Sequence, residues 1–597
     1  MSEDRYRKSI QGQYFCDAVG RVYFREPIKN QEAYSDIMLM NFTPELVQLI
    51  SRDDGFEVTD KIVFRAFRNG VYESPVELDK KDILSNQPHA KFSPGCRILI
   101  GRGNCARCSE MMQMQCEDAE PQTVYTHTGW KVIEGQRVFL NGNYSVTAEG
   151  LSDRYVVELD PDLRRCYRFV DGDINEEECF QTVLTTMGQA APDWLVVPSL
   201  AYIFMTPLNG MLRDQGREPS FSFYLIGKTG SYKSSWAKVL LCFFGGVGYA
   251  ETAPITFLDT QNAIGRKLGL GADIPLLLDD RRPTSNNADK LRYETIEKYV
   301  SSAIGDRAAR GRLNADSTAR TSYIARCNLI ITAEEAFQNI GSSAIARSVS
   351  VELRPDTINF DKLQELQEHP AHFNRVMVLY LQWLIAHYEE VEKCAADMLK
   401  KYREIFTTAG HPRLATAFSN LMLGYCMYLA FLQGKGRVSP DAANTMRKRA
   451  IAIFLEMCQK QSEKVEEEKP TKLFISLLNE MLETKKATIC DLTRQEVASG
   501  ILLNPQTVND KTIGYKDECS IYLIPKGAYM AVAQYYGCLG YTFPASPSAL
   551  WKQFKDEGKL CCDTGRVDKR KTINGKTKRY ITMPISILID DEEEVQE

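Results

Sequence analysis

The chain has 597 residues, room for roughly four domains at about 150 residues each, and its 25% charged and 44% hydrophobic content excludes disordered, collagen-like and low-complexity classes. With 73 Lys and Arg against 78 Asp and Glu the net charge is −5, so a uniformly basic nucleic-acid coat is excluded and any such contact must come from local segments. No apolar run, Phe221 to Ile226 included, approaches the ~18 residues of a bilayer span, Met1 to Arg5 opens no signal peptide, and the 17 cysteines are odd in number and scattered, so a cytoplasmic protein with reduced thiols and no membrane contact is expected.

Residues 1–190 alternate short β-like runs, such as Lys61-Ile62-Val63-Phe64-Arg65, with turns and few helical signals, which predicts an α+β N-terminal domain. Cys96, Cys105, Cys108 and Cys116 invite a zinc reading, but positions 105, 108, 112 and 116 follow helical spacing and include Met112, as a core face does. The acids Glu158, Asp160 and Asp162 resemble the paired carboxylates of a primase. Such a site also needs a downstream histidine strand, and no histidine lies between His127 and His369.

Residues 191–355 change pattern: apolar runs ending in glycines or acids alternate with helical stretches, as in a parallel α/β sheet. Ser222 to Ile226 reads as a strand that runs into Gly227-Lys228-Thr229-Gly230-Ser231-Tyr232-Lys233-Ser234, with a helix from Ser235 to Phe244 directly after. Successive loop N–H groups and a helix N-terminus form a cradle for phosphate, so this is a Walker A candidate with Gly227 to Ser235 around the nucleotide. Lys233 is placed for the β- and γ-phosphates and Ser234 for Mg²⁺. Tyr232 stands where glycine is usual, which is expected to require a negative φ with the ring turned away; a tight turn without nucleotide is the alternative.

About fifty residues on, Ile274-Pro275-Leu276-Leu277-Leu278 closes on Asp279 and Asp280. In a Walker B strand the first acid holds the Mg²⁺ shell and the second orients or deprotonates water, though an acidic turn after a buried strand reads the same way. Asp280 is shorter than the usual glutamate, which makes slow turnover conceivable. A third strand, Cys327 to Ile331, ends at Thr332, where a hydroxyl beside the Walker B strand meets γ-phosphate or water. Arg347, fifteen residues later, is spaced to point at a neighbouring subunit's nucleotide or is a surface arginine. Residues 356–460 turn helical, with Gly410-His411-Pro412-Arg413 opening one helix. The polar run 461–471 reads as a linker, residues 472–590 as helices followed by a β-hairpin across Asn574-Gly575, and residues 591–597 as an acidic tail.

The order of Walker A, Walker B, threonine, Arg347 and Arg413 resembles an AAA+ ATPase. More closely, it is similar to the MCM-like self-loading helicases of staphylococcal cassette chromosomes and pathogenicity islands and to related mobile-element ATPases that carry a domain of unknown function. Thr126-His127-Thr128-Gly129-Trp130 and Thr260-Gln261-Asn262-Ala263 are also similar to that group. The resemblance covers most of residues 90–420. It implies a multidomain α/β chain with an AAA+ core, a helical lid and a winged helix, ATP and Mg²⁺ as cofactors, a ring, expected to be a hexamer, Arg347 as a finger in trans and Arg413 as a second sensor.

Two basic segments are candidate DNA contacts. Arg307, Arg310, Arg312, Arg320 and Arg326 flank a polar tip at residues 314–317, and MCM-type ATPases are similar in carrying a hairpin there that lines the channel and grips nucleic acid, expected to be single-stranded. Lys569, Arg570, Lys571, Lys576, Lys578 and Arg579 form a wing with no acid among them. The expected function is an ATP-dependent DNA helicase or translocase serving replication of a mobile element. A nucleotide-switched DNA-binding regulator and a protein-remodelling ATPase are the competing readings, and because the wing lies past the linker, it is expected to couple only loosely to hydrolysis.

Overall fold

The computed structural model describes residues 8–85, 87–245, 253–307, 312–313, 319–320, 322–335, 342–493, 496–498, 501–503, 511–573 and 575–588. Arg310, the polar tip at 314–317 and the acidic tail lie outside them. The architecture is multidomain α/β, with mixed sheets and many helices.

In the N-terminal half, β1 (Thr43–Asp53) pairs antiparallel with β2 (Val58–Arg68) inside a six-stranded sheet. Helix α1 (Asn104–Met114) turns Cys108, Met111 and Met112 into the hydrophobic cluster beneath it, so the cysteine spacing is that of a helix face. Burial pushes the Cys108 thiol up to about 12. Asp160, one of the primase-like acids, caps a short helix, and Asp162 pairs with Lys267 at 2.6 Å.

The Thr126 to Trp130 segment docks this half on the rest. It leads into β3 (Gly129–Ile133), which forms a hairpin with β4 (Gln136–Leu140). The Thr128 hydroxyl donates to the Ala272 carbonyl at 2.8 Å, and the Trp130 N–H donates to the buried Asp273 carboxylate at 3.1 Å. Gly129 has φ +93°, and a Cβ there would sit 2.6 Å from Asp273 Oδ2, so only glycine fits. Arg326 reaches back the other way, donating to the carbonyls of Asp54 and Gly55 at 3.0 Å and stacking over Phe56 at 4.0 Å. It is a buried tie between chain halves and no part of a DNA-facing row.

His127 is 2% exposed, and burial, followed by the Arg326 charge, pushes its pKa down to about 4. It is therefore neutral at pH 7, and its 3.9 Å approach to Asp53 is no ion pair there. Because the folded value lies below the ordinary one near 6.5, the stability tied to neutral His127 is complete above about pH 6.5 and is lost as pH falls towards 4. Urea titrations should show the unfolding midpoint dropping across that window, with a shallower drop for His127→Gln.

Past α2 (Asp193–Met205), five parallel strands form the central sheet: β5 (Ser222–Ile226), β6 (Ile255–Thr256), β7 (Pro275–Arg281), β10 (Asn328–Ala333) and β11 (Ser348–Glu352), with spatial order β6-β7-β10-β5-β11. Between β7 and β10 lie α5 (Asn287–Gly305) and a two-stranded ladder of β8 (Arg312–Leu313) and β9 (Ala319–Arg320), in which Arg312 is opposite Arg320. The helices α3 (Lys233–Leu241) and α4 (Gln261–Leu270) follow β5 and β6. Thr260, from the second family-like segment, caps α4 by accepting from the Ala263 N–H at 3.3 Å.

Beyond the sheet the chain is helical: α6 (Phe360–Glu368), α7 (Pro370–Ala386), α8 (Tyr388–Thr407), α9 (Pro412–Gly434) and α10 (Pro440–Glu467). Two helical stretches, Asp193–Asp214 and Pro412–Gly434, are long and apolar enough to cross a bilayer, although polar residues interrupt their apolar runs. Their apolar windows are 94% and 89% buried inside the protein, where α9 lies against α2 so closely that a Cβ on Gly424 would stand 2.7 Å from Met205 N.

The linker expectation is corrected. Residues 461–467 are the last turns of α10, and α11 (Pro470–Glu483) starts three residues later. The run looks polar because its buried members bond to other backbone: Gln461, 4% exposed, donates to the carbonyls of Ile345 and Ser348 and accepts from the Ser350 N–H. The terminal unit has a five-stranded sheet and helices α12 (Pro525–Cys538) and α13 (Pro547–Asp556) around a separate core. Its basic hairpin pairs β15 (Lys569–Ile573) with β16 (Lys576–Pro584), counting Thr512–Lys516 and Ser520–Leu523 as β13 and β14 after β12 (Thr488–Asp491). Lys290 of α5 donates to the Gly540 carbonyl at 2.9 Å, so this unit also touches the central one directly.

Candidate active site

Strand β5 is fully buried and ends at Gly227, whose N–H donates to the Ala333 carbonyl of β10 at 2.9 Å. The loop turns through Gly230 at φ +89°, and α3 begins at Lys233. Tyr232 caps that helix at φ +59°, ψ 19°, so the expectation of a negative φ is wrong. A left-handed tyrosine costs on the order of 1 kcal/mol. Its ring is directed away from the loop, tilted against Phe360 with centroids 5.5 Å apart.

Lys228, Thr229 and Gly230 form the exposed lip of the loop, Ser231 is buried, and Ser234 and Ser235 lie half-buried in the first turn of α3. Lys233 is 6% exposed, and among the described residues no carboxylate pairs with it. A cationic side chain buried to this extent with no carboxylate partner suits an anionic ligand. Beside it the Ser234 hydroxyl donates to Asp279 Oδ1 at 2.7 Å.

Strand β10 lies between β5 and β7, and so brings Thr332 to the tip of β7 beside Asp279. Thr332 is buried, donates to Asp279 Oδ1 at 2.5 Å and accepts from the Asp280 N–H at 2.9 Å. The hydroxyl thereby braces both acids. A bulge between Leu278 and Arg281 puts Asp280 at φ +73°, with its carboxylate on Arg282 at 2.6 Å. Arg281 turns inward to Glu297 at 2.7 Å, and burial pushes that acid up to about 7 against the pull of the guanidinium. Glu334, absent from the sequence reading, accepts from the Thr229 hydroxyl at 2.5 Å. The only local signal was a second polar residue two places after Thr332.

Arg347 and Arg413 meet at the opposite end of the sheet. They line a cavity with Arg403, Gly305, Phe221 and Asn420. Arg347 pairs with Asp306 at 2.5 Å, and Arg413 Nη1 lies 3.4 Å from Ser343 Oγ. Because Ser348 pairs with Ser222 while Glu352 pairs with Ile226, this cavity sits a strand length, roughly 15 Å, from the loop that begins at Gly227. Arg403 is a third guanidinium that no motif announced.

The DNA candidates divide. Arg307 is corrected: it donates to the carbonyls of Ala325 at 3.0 Å, Cys327 at 2.9 Å and Pro219, beneath the sheet. Of the wing, Lys569, Arg570, Lys576 and Lys578 are exposed. Lys571 bonds to Tyr522 at 3.0 Å, and Arg579 pairs with Asp568 at 2.7 Å and Asp563 at 3.3 Å.

No family profile and no curated protein matches the chain. The solved apo structure of the NrS-1 C-terminal region covers 89% of this chain and 95% of its own at 10% identity, with a TM-score of only 0.28. By contrast, the solved structure described as SCCmec type IV Cch, an active helicase, overlays 97% of this chain and 99% of its own at a TM-score of 0.57 and 14% identity, so the chain has the fold of that helicase along nearly its whole length.

Proposed function

We infer that the chain is an ATP-dependent DNA helicase or translocase of the AAA+ type, working as an oligomeric ring, with a hexamer as the expected assembly, in replication of a mobile genetic element. The observation that carries this reading is Lys233, buried with no carboxylate partner among the described residues at the start of α3, next to the Ser234–Asp279–Thr332 cluster. Residues 191–355 form the ATPase core, 356–460 the helical lid, and 472–590 a winged-helix unit, after an α+β domain in 1–190.

Gly227 to Ser235 bind the triphosphate, and Lys233 meets its β- and γ-oxygens. Ser234 and Asp279 supply two hard oxygen donors 2.7 Å apart, a set that fits Mg²⁺. When bound, Mg²⁺ neutralises charge on the β- and γ-oxygens. Thr332 braces Asp279 and the backbone of Asp280, and the attacking water is oriented at these strand tips. Arg347, with Arg413 beside it, serves the nucleotide of the neighbouring subunit, which the distance from its own loop supports.

Single-stranded DNA lies along the β8–β9 hairpin in the channel, and the wing grips phosphate outside it. The exposed Lys569, Arg570, Lys576 and Lys578 of the hairpin support this, while Lys571 and Arg579 are already paired with Asp517, Asp563 and Asp568 of the same unit. Measuring ATP hydrolysis with and without single-stranded DNA, alongside sizing in a nucleotide analogue, tests the reading. The Asp280–Arg282 ion pair favours one second reading, a DNA-binding regulator that holds nucleotide as a switch, and that reading wins if DNA leaves hydrolysis unchanged.

Neutralising Arg310, Arg312 and Arg320 should abolish DNA stimulation and unwinding with nucleotide binding retained. Neutralising Lys569, Lys576 and Lys578 should weaken DNA binding and flatten its salt slope by about 0.7–0.9 per lost phosphate contact. Normal unwinding by the hairpin variant would discard the translocation mechanism.

A further inference from the structure

Two carboxylates stand at the strand tips beside the phosphate loop, and their surroundings differ. Asp280 is held in a left-handed backbone by the β7 bulge, and its carboxylate is paired with Arg282 at 2.6 Å. Glu334 is the first residue past β10, the strand inserted between those that carry the loop and Asp279. Its N–H donates to the Arg281 carbonyl at 3.0 Å, which pins its backbone to the end of β7, and its half-buried side chain reaches across to accept from Thr229 on the loop lip at 2.5 Å. Arg282 feels Glu334 as well, but more weakly than it feels Asp280.

We propose that Glu334 is a catalytic residue, the carboxylate that takes the proton of the water attacking the γ-phosphate, while Asp280 anchors Arg282. This role rests on the ATPase reading. The water oxygen forms a bond to the γ-phosphorus as the bond from that phosphorus to the β,γ-bridging oxygen breaks. One water proton passes to a Glu334 carboxylate oxygen and from there to solvent, leaving ADP and inorganic phosphate. A general base must lie within hydrogen-bond reach of the reacting group, and Glu334 alone of the two acids touches the loop that holds the triphosphate.

The test compares Glu334→Gln, Glu334→Asp and Asp280→Asn in the full chain, with equilibrium binding of a fluorescent ATP analogue measured beside steady-state hydrolysis. The side-chain amide oxygen that Glu334→Gln introduces can still accept from Thr229, so thermal unfolding should match the wild type. Glu334→Gln should bind the analogue at least as tightly as the wild type and lose about 10² to 10⁴ in kcat. Glu334→Asp should recover at least about tenfold of that loss, and Asp280→Asn should lose at least about tenfold less than Glu334→Gln. The proposal is overturned if Glu334→Gln turns over within about threefold of the wild type, if it loses nucleotide binding, or if Asp280→Asn is the more damaged. A wild-type chain that neither binds nor hydrolyses ATP in the same assays defeats the ATPase reading itself, and this role with it.

Discussion

Lys233→Ala should abolish ATP hydrolysis and leave the chain folded. Lys233 is 6% exposed and has no carboxylate partner among the described residues, so on the proposed reading its removal takes away the charge that meets phosphate and removes a largely buried cationic side chain. Trp236 and Ala237, one turn along α3, remain packed in the core, and thermal stability without nucleotide should equal or exceed that of the wild type. Binding of a fluorescent ATP analogue and phosphate release are the two measurements. Full activity in this variant would sink the phosphate-loop assignment, because no other buried, unpaired lysine stands at a strand-to-helix turn among the described residues.

Arg347→Ala should keep nucleotide binding and lose turnover, by roughly 10³ to 10⁵, the worth of arginine fingers measured in GTPase systems. The loop from Gly227 to Ser234 lies at the far end of β5, while Arg403 and Arg413 line the same cavity as Arg347, so on the proposed reading these cations serve a neighbouring subunit's nucleotide. Mixing Arg347→Ala with Lys233→Ala should therefore restore some activity, since certain interfaces combine an intact loop with an intact finger. If the two proteins co-assemble and the mixture stays dead, Arg347 acts on Asp306 and Gly305 as a structural residue, or one competent interface cannot fire alone.

How far each residue was legible from sequence follows from the range of the interaction that places it. Strand, loop and helix from Ser222 to Leu241, the strand closing on Asp279, and the wing hairpin all appear where periodicity and turn residues put them, because those signals act over a few neighbours. Tyr232 misled on φ because the loop geometry overrides the local preference of the residue. The run 461–471 misled because composition measures how polar a segment is and takes no account of backbone groups such as Ser350 N and Ile345 O that its side chains bond.

Sequence alone determined the strand, loop and helix from Ser222 to Leu241, the strand that carries Asp279 and the parallel α/β core, since each is written in contiguous residues. Only the tertiary structure decided which charges are free. Arg307 and Arg326 read as members of one basic row with Arg312 and Arg320, yet each is bonded to carbonyls contributed by distant segments: Pro219 for Arg307, and Asp54 and Gly55 for Arg326. Glu334 meets Thr229, and Arg347 lines one cavity with Arg413, for the same reason. A guanidinium or carboxylate looks the same in sequence whether it faces water or a buried partner, and the partner is chosen by strand order and packing, which no short window of residues contains.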